Sequence, residues 1–169
     1  MRHMQNLLPK KFFVTSGGAQ DSESSLNAFD RALRRGKITQ YNLVSVSSIL
    51  PRDSKEVEPV DLPPGSITFC VLARMDGVSG DRIGAGLGWG WIENKKESYG
   101  IVAEHHGYSS AKYLKEKLVL KLERMAKLRN MKLTSYKTKA ESLEVYEDHF
   151  GSVIAALIYL FDWGEQKKE

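Results

Sequence analysis

Glycine at every second position of one segment constrains the fold of this 169-residue chain more than any other feature. The glycines are Gly84, Gly86, Gly88 and Gly90, and apolar residues alternate with them from Ile83 to Trp91. A period of two is that of a β-strand, so we predict a strand over 82–93. One face of this strand is bare backbone, which suits very close approach by another element or subunit. The spacing is not G-x-G-x-x-G and no helix follows it, so we expect no dinucleotide site.

Periodicity and turn residues predict the other elements of the chain. The remaining predicted strands are 12–15 (ended by Gly17-Gly18), 41–50, 66–75, 99–105, 131–146 and 151–161. One predicted helix covers 26–35, capped by Ser24 or Ser25, stopped by Gly36 and carrying Leu26, Phe29 and Leu33 on its apolar side. The other begins after Ser109 and Ser110, runs to about 130 and buries Leu114, Leu118, Leu122 and Met125.

The order of these elements predicts an α+β fold. Four prolines make 51–65 a long connecting loop, and the 169 residues fit one domain rather than two. Strand, helix, several strands, helix and strands in sequence predict a sandwich of β-sheets flanked by helices, of αββα type. We therefore expect a single domain that comprises residues 1–169.

Charge and composition exclude some classes of protein without identifying a partner. The 25 basic and 21 acidic residues give a net charge of +4, and the basic residues are not concentrated in one arm. The longest apolar run, 153–161, is roughly half the length that a membrane span needs. The single cysteine, Cys70, excludes an internal disulfide and is expected to be a buried hydrophobe. Residues 1–5 have no apolar signal segment, so we expect a cytoplasmic protein.

A serine pair at the end of a predicted strand is the first candidate for chemistry. Ser48 stands three residues before Pro51, and Ser47 directly precedes it. A rigid strand end can strain a peptide bond, and an adjacent serine hydroxyl can then attack the preceding carbonyl. The alternative is that these are ordinary strand-end hydroxyls, which is the usual meaning of two neighbouring serines.

The surrounding motifs favour the first interpretation through a resemblance. Asn-Ala-Phe-Asp at 27–30 lies on a predicted helix, and Ser-Ser-Ile-Leu-Pro at 47–51 ends the next predicted strand. In this order the motifs resemble the pyruvoyl-dependent arginine decarboxylase family, closely over 27–51 and weakly to about 161. The resemblance implies that Ser48 Oγ attacks the carbonyl carbon of Ser47, and that β-elimination separates residues 1–47 (the β chain) from 48–169 (the α chain).

The same resemblance implies the cofactor and the reaction. Ser48 would become a covalent pyruvoyl group, which forms a Schiff base with the α-amine of L-arginine and accepts electrons as CO₂ leaves, giving agmatine. No metal or diffusible cofactor is required. The family also forms trimers, sometimes stacked into hexamers, with active sites between subunits, so we expect such an oligomer here.

The resemblance assigns further catalytic roles to Glu104 and Asn42. Glu104 falls where the family places the acid that reprotonates the substrate carbanion, and an apolar pocket would keep its carboxyl protonated. A second acid found two positions later in some members is His106 here. Asn42 lies six residues before Ser48 and would share its face of one strand. Glu104 and His106 lack a third ligand and His149 is remote, so we predict no metal site.

Substrate recognition is assigned to a helix and the segment after it. Asp30 would accept the substrate guanidinium in two parallel hydrogen bonds, and Leu33 would pack along the methylene stem. Carbonyl groups near Thr39 and Tyr41 would accept the remaining guanidinium protons. The alternative for Asp30 is a surface ion pair with Arg34, four residues later on the helix.

Two rival functions remain open from the sequence. The first keeps the chemistry and changes the substrate to another amino acid. The second is a non-catalytic α+β module that binds nucleic acid through the basic helix 112–129. Because acidic residues interrupt that helix and no aromatic stacking platform accompanies it, we expect no nucleic-acid partner and no membrane partner.

Overall fold

A computed structural model describes residues 7–161 of the chain. Residues 1–6 and 162–169 lie outside the described part, and so do the ends of the predicted single domain. Two helices and nine strands are formed within residues 7–161. In chain order they are β1 (Lys11–Asp21), α1 (Ser25–Arg35), β2 (Asn42–Ser45), β3 (Ile49–Leu50), β4 (Lys55–Glu56), β5 (Ile67–Val78), β6 (Arg82–Glu93), β7 (Ser98–Gly107), α2 (Ala111–Leu128), β8 (Lys132–Glu144) and β9 (Phe150–Leu160).

The strands form two sheets that pack face to face. Sheet A has the order β2-β5-β9-β1-β4, and sheet B has the order β3-β7-β6-β8. Buried apolar side chains of β1, β5 and β9 meet those of β6 and β7 between the sheets. Helix α1 packs on the outer face of sheet A, and α2 packs on the outer face of sheet B. The predicted αββα sandwich is therefore confirmed.

The glycine face of β6 lies directly beneath α2. Leucines of the helix occupy the space that side chains on this face would fill; they are Leu114, Leu118 and Leu122. A Cβ added to Gly84 would lie 2.6 Å from Leu114 Cδ1 and 2.8 Å from the carbonyl oxygen of Ser109. The close approach inferred from the sequence is therefore made by a helix of the same chain. No subunit contact is needed to explain the glycines.

We expect Gly84→Ala to lower the free energy of unfolding by about 1–3 kcal/mol, because its methyl group would overpack this interface. The added Cβ would meet two backbone carbonyl oxygens, those of Ser109 at 2.8 Å and Glu141 at 3.0 Å, which cannot rotate away. Gly88→Ala is the matched control, since its Cβ would meet only side-chain atoms of Leu122 and Leu118 at 3.1 and 3.2 Å. Urea denaturation measures both, and equal losses would contradict this account.

Glycine also explains why β1 is longer than predicted. The predicted stop at Gly17-Gly18 is wrong, since β1 continues to Asp21. A Cβ on Gly17 would lie 2.2 Å from the carbonyl oxygen of Ala32, so this glycine admits α1 against the strand. The helix correspondingly buries Ala28 and Ala32, whereas Leu26, expected on its apolar side, is 71% exposed. Small residues on both elements set this contact.

Both predicted helix starts are confirmed. The hydroxyl of Ser24 accepts a hydrogen bond from the Asn27 amide at 3.0 Å, and that of Ser110 accepts one from the Tyr113 amide at 3.3 Å. On α2 the buried row is completed by Ala126, and Met125 is only partly buried. Within residues 7–161, no helix combines the length and apolar character needed to cross a lipid bilayer.

The predicted strand 41–50 is divided between the two sheets. Strand β2 pairs in parallel with β5 in sheet A, and β3 pairs antiparallel with β7 in sheet B. Residues 46–48 connect them outside regular strand structure. The prediction that Asn42 and Ser48 share a face of one strand is therefore wrong, because tertiary pairing separates the segment into two short strands. The connecting loop 51–65 also contributes β4, which pairs with β1.

Candidate active site

The connection between the two sheets carries the serine pair. Strands β2 and β3 are terminal in their sheets, so Ser47 and Ser48 bridge the sandwich at one edge. The Val46 amide before the pair donates to the Cys70 carbonyl at 2.9 Å. The Ser48 carbonyl accepts from the Val102 amide at 2.8 Å. The bond between the serines is thus held on both sides by backbone contacts to different sheets.

Ser48 and Glu104 line one pocket. We call this the Ser48 pocket; its volume is about 250 Å³, and it lies between the connection, β7 and α2. Its other lining residues are Val102, Ala103, Lys121, Arg124, Met125 and Leu128. The structure therefore brings together the predicted cleavage serine and the predicted acid. Glu104 is exposed, so residues 7–161 of one chain do not supply the apolar surroundings expected for its carboxyl.

A lysine from α2 is attached to β7 beside Glu104. Lys121 Nζ donates to the Glu104 carbonyl oxygen at 2.8 Å and lies 3.0 Å from His105 Nδ1. Partial burial lowers the pKa of His105, and the positive charges of Lys121, His106 and Lys117 lower it further. Neutral His105, with its proton on Nε2, can accept a hydrogen bond from Lys121 at Nδ1, so the contact is favourable at neutral pH.

A second, apolar pocket lies on the Ser47 side of the connection. Its volume is about 340 Å³, and its lining is Leu7, Pro9, Val46, Ser47, Ile49, Phe69, Tyr159 and Phe161. Tyr159 donates to the carbonyl oxygen of Ile49 at 2.9 Å. Burial is the main cause that raises the pKa of Tyr159 to about 12, and electrostatic repulsion from Cys70 adds to it. The phenol therefore keeps its proton and remains a hydrogen-bond donor. The connection is therefore fixed after the serine pair as well as before it.

Cys70 is fully buried beneath this connection, as predicted. Burial raises the pKa of its thiol to about 11, while a hydrogen bond with Ser45 opposes the shift. The thiol is consequently protonated at neutral pH, which makes it a poor nucleophile there.

Asp30 and Thr39 are in direct contact. The Thr39 hydroxyl donates to Asp30 Oδ1 at 2.6 Å, which links the middle of α1 to the turn after it. The alternative ion pair between Asp30 and Arg34 is not formed in the described part of the chain. Leu33 is partly buried against the core beneath α1. The carboxylate is thus oriented by a neutral donor and remains exposed.

Tyr41 and Asn42 have their side chains engaged elsewhere. The buried Tyr41 hydroxyl accepts from the Leu62 amide at 3.0 Å and lies 3.4 Å from the Val60 carbonyl oxygen. Asn42 Nδ2 donates to the Gly65 carbonyl oxygen at 2.9 Å. Both residues therefore hold the 51–65 loop, and neither lines the Ser48 pocket.

Comparison with known proteins decides the family. The model of the pyruvoyl-dependent arginine decarboxylase family matches residues 11–164. The chain belongs to this family. Its cofactor is accordingly a covalently bound pyruvoyl group.

Curated relatives of this decarboxylase family match over most of the chain. A pyruvoyl-dependent arginine decarboxylase of Methanopyrus kandleri is 33% identical over 159 residues, which cover 93% of this chain and 99% of the relative. Pyruvoyl-dependent arginine decarboxylase 2 of Archaeoglobus fulgidus is 35% identical over 161 residues, covering 91% and 98%. The enzyme of Picrophilus torridus is 38% identical over 128 residues, covering 70% and 69%.

The residues present at the connection fit the cofactor of the decarboxylase family. A pyruvoyl group is made from a serine of the chain itself, and Ser48 stands at an irregular, accessible bend beside an acidic pocket residue. Within residues 7–161, histidine, cysteine and carboxylate side chains form no group of three or more that could hold a metal ion.

Sequence reasoning missed the two basic residues of the Ser48 pocket. Lys121 and Arg124 belong to a charged helix face and are exposed, as the periodicity of α2 indicates. Only the packing of α2 across β7 places them beside Ser48 and Glu104. Their spacing of three residues puts them on one side of the helix. Nothing in the sequence predicts which strand this side of the helix lies against.

Proposed function

We infer that this chain is a self-processing pyruvoyl-dependent decarboxylase that converts L-arginine to agmatine and CO₂. The observation that carries the proposal is the shared pocket of Ser48 and Glu104, formed where the serine pair crosses between the sheets. Membership in the decarboxylase family supports the choice of arginine. A cytoplasmic location is part of the proposal and rests on the single, unpaired cysteine.

Self-processing begins with the hydroxyl of Ser48. Its Oγ attacks the carbonyl carbon of Ser47, the amide becomes an ester, and β-elimination leaves Ser47 with a free carboxylate. Position 48 is left as dehydroalanine, and its hydrolysis by water releases ammonia and supplies the ketone oxygen of the pyruvoyl group. The backbone contacts of Val46 and Val102 support this step, because they hold the ends of the reacting bond to different sheets.

The mature group supplies a ketone that condenses with the substrate amine and withdraws electrons as CO₂ leaves. Glu104 delivers a proton to the substrate carbon that has lost its carboxylate. Asn42 is proposed to orient the carbonyl oxygen at the cleavage site, which requires its amide to leave the Gly65 carbonyl or to act from a neighbouring subunit. Asp30, held by Thr39, accepts the guanidinium, Leu33 packs along the methylene stem, and carbonyl groups near Thr39 and Tyr41 accept the remaining guanidinium protons.

We further propose a trimer, or stacked trimers, with active sites between subunits. Asp30 and Thr39 lie on and after α1, outside sheet A, and neither lines the Ser48 pocket. A second copy can complete the site by bringing the two groups together. Apolar side chains exposed at the β2 and β3 edge support such a contact; they are Val44, Val46, Ile49 and Ile67.

Mass spectrometry of the purified, denatured protein tests this function together with an assay for CO₂ and agmatine. We expect two fragments, residues 1–47 and 48–169, the larger blocked at its N-terminus and lighter by one ammonia than a serine start. L-arginine should be decarboxylated without added metal. A single species after long, warm incubation, with no CO₂ released, would reject the proposal in favour of a binding module.

Asp30→Asn is expected to lower kcat/KM for arginine by roughly 10²-fold, because a neutral amide replaces the charged partner of the guanidinium. Self-cleavage should remain intact. Asp53→Asn makes the same chemical change at an exposed loop residue that belongs neither to the Ser48 pocket nor to the Asp30–Thr39 contact. It should leave the kinetics unaltered. If Asp30→Asn leaves arginine kinetics unchanged, another residue binds the guanidinium, or the substrate is a different amino acid.

A further inference from the structure

The Ser48 pocket contains one cation that has no partner in the described chain. Lys121 is engaged with the Glu104 carbonyl oxygen and His105. Arg124 lines the same pocket and forms no hydrogen bond or ion pair within residues 7–161. Its guanidinium is therefore available to a ligand.

The helix offers Arg124 no neutralising neighbour. Residues that share its side of α2, three or four positions away, are Leu120, Lys121, Lys127 and Leu128. Glu123 is adjacent in sequence and therefore projects away from it. Glu104 lines the same pocket, but its carboxylate is not within ion-pair distance of Arg124. The local charge is positive and suits an anion.

The proposed substrate brings one anionic group to this place. Arginine carries its guanidinium at one end and its α-amine and α-carboxylate at the other. Because the amine must reach position 48, the carboxylate enters the pocket that Arg124 lines. We propose that Arg124 binds the α-carboxylate of the substrate, with Lys121 adding positive charge beside it. A guanidinium matches a carboxylate through two parallel hydrogen bonds.

This role, which rests on the proposed function, distinguishes substrate from product. Agmatine has the same guanidinium and amine as arginine but no carboxylate, so Arg124 favours arginine alone. The contact exists in the bound substrate and disappears as CO₂ leaves. Because the carboxylate is still attached to the substrate until the bond to CO₂ breaks, the ground and transition states share this contact, and its removal should raise KM with kcat unchanged.

Arg124→Gln tests the assignment in the full, self-cleaved protein. Besides steady-state kinetics, calorimetry measures the binding of agmatine and of argininic acid, which keeps the carboxylate but has a hydroxyl in place of the amine. We expect KM for arginine and Kd for argininic acid to rise roughly ten- to hundredfold, with kcat and agmatine affinity unchanged. Arg124→Lys should restore part of the loss. Lys115→Gln removes the same charge from an exposed site on α2 outside this pocket.

Each outcome bears on the assignment. Unchanged binding of argininic acid in Arg124→Gln overturns it. Equal weakening of argininic acid and agmatine, or an equal effect of Lys115→Gln, also overturns it, because the loss would then reflect general charge or a disturbed site. Failure of the proposed function looks different, since the unaltered protein would neither cleave nor release CO₂ from arginine. Selective loss of argininic acid binding in such a protein would still support a carboxylate site at Arg124.

Discussion

Ser48→Ala is expected to leave the chain as one uncleaved species of about 19.0 kDa with no decarboxylase activity. Alanine has no hydroxyl to attack the Ser47 carbonyl, and no ester oxygen on its β-carbon that β-elimination could expel, so no pyruvoyl group can form. The backbone contacts that hold the connection do not involve the lost hydroxyl, so the fold should persist. Denaturing mass spectrometry, circular dichroism and an assay for CO₂ measure these three properties.

Ser47→Ala is the matched control for this experiment. It removes the neighbouring hydroxyl and keeps the carbonyl that is attacked, so cleavage should proceed and the smaller fragment should end in alanine. Together the two variants distinguish the proposed nucleophile, the Ser48 hydroxyl, from the proposed electrophile, the Ser47 carbonyl. If Ser48→Ala still produced two fragments, or if Ser47→Ala alone prevented cleavage, the assignment of roles within the pair would be wrong.

Glu104→Gln is expected to lower kcat by roughly 10²–10⁴-fold, the usual contribution of a general acid. The amide has the shape of the carboxyl group but carries no proton that it can release to carbon. Self-cleavage should occur, because the nucleophile and the attacked carbonyl are unchanged. Mass spectrometry therefore confirms that a mature enzyme is being assayed.

The control for Glu104→Gln is the same replacement at Glu97, an exposed residue in the turn before β7. It should leave kcat unchanged. A kcat for Glu104→Gln close to that of the unaltered enzyme would move the acid elsewhere. His106 would be the next residue to test, since it lies two positions later on the same strand.

The regular elements could be predicted because their patterns are local. The alternating glycines of β6 gave its bounds to the residue, and the spacing of Leu114, Leu118 and Leu122 gave the buried side of α2. The break within 41–50 was not predicted from the same patterns, since Val44, Val46 and Ile49 are β-branched and 44–47 alternates as in a single strand. What divides it is contact with Cys70 and Val102, which are distant in sequence.

Some residues of the candidate site could likewise be predicted from the sequence, and others could not. Ser47, Ser48 and Glu104 were found through a resemblance, and the structure places Ser48 and Glu104 in one pocket. Arg124 falls outside the row of buried leucines on α2, and its side chain is exposed. Its position beside Ser48 depends on how α2 crosses β7, and that angle follows from the packing of leucines on glycines. Periodicity identifies which residues of a helix are buried, but not which strand or pocket lies beside its exposed residues.

The crossing of the chain between the sheets has a consequence for how the cleaved protein would unfold and refold. A cut between Ser47 and Ser48 leaves β1, α1 and β2 on a separate polypeptide, embedded in sheet A through eleven residue pairs with β9. Unfolding then becomes dissociation into two molecules, and mass action makes the melting temperature rise with protein concentration. The uncut precursor would refold as one chain, whereas the two fragments of a cleaved protein would have to associate again. The proposed cleavage would therefore make refolding a bimolecular reaction, while it creates the pyruvoyl group that the reaction needs.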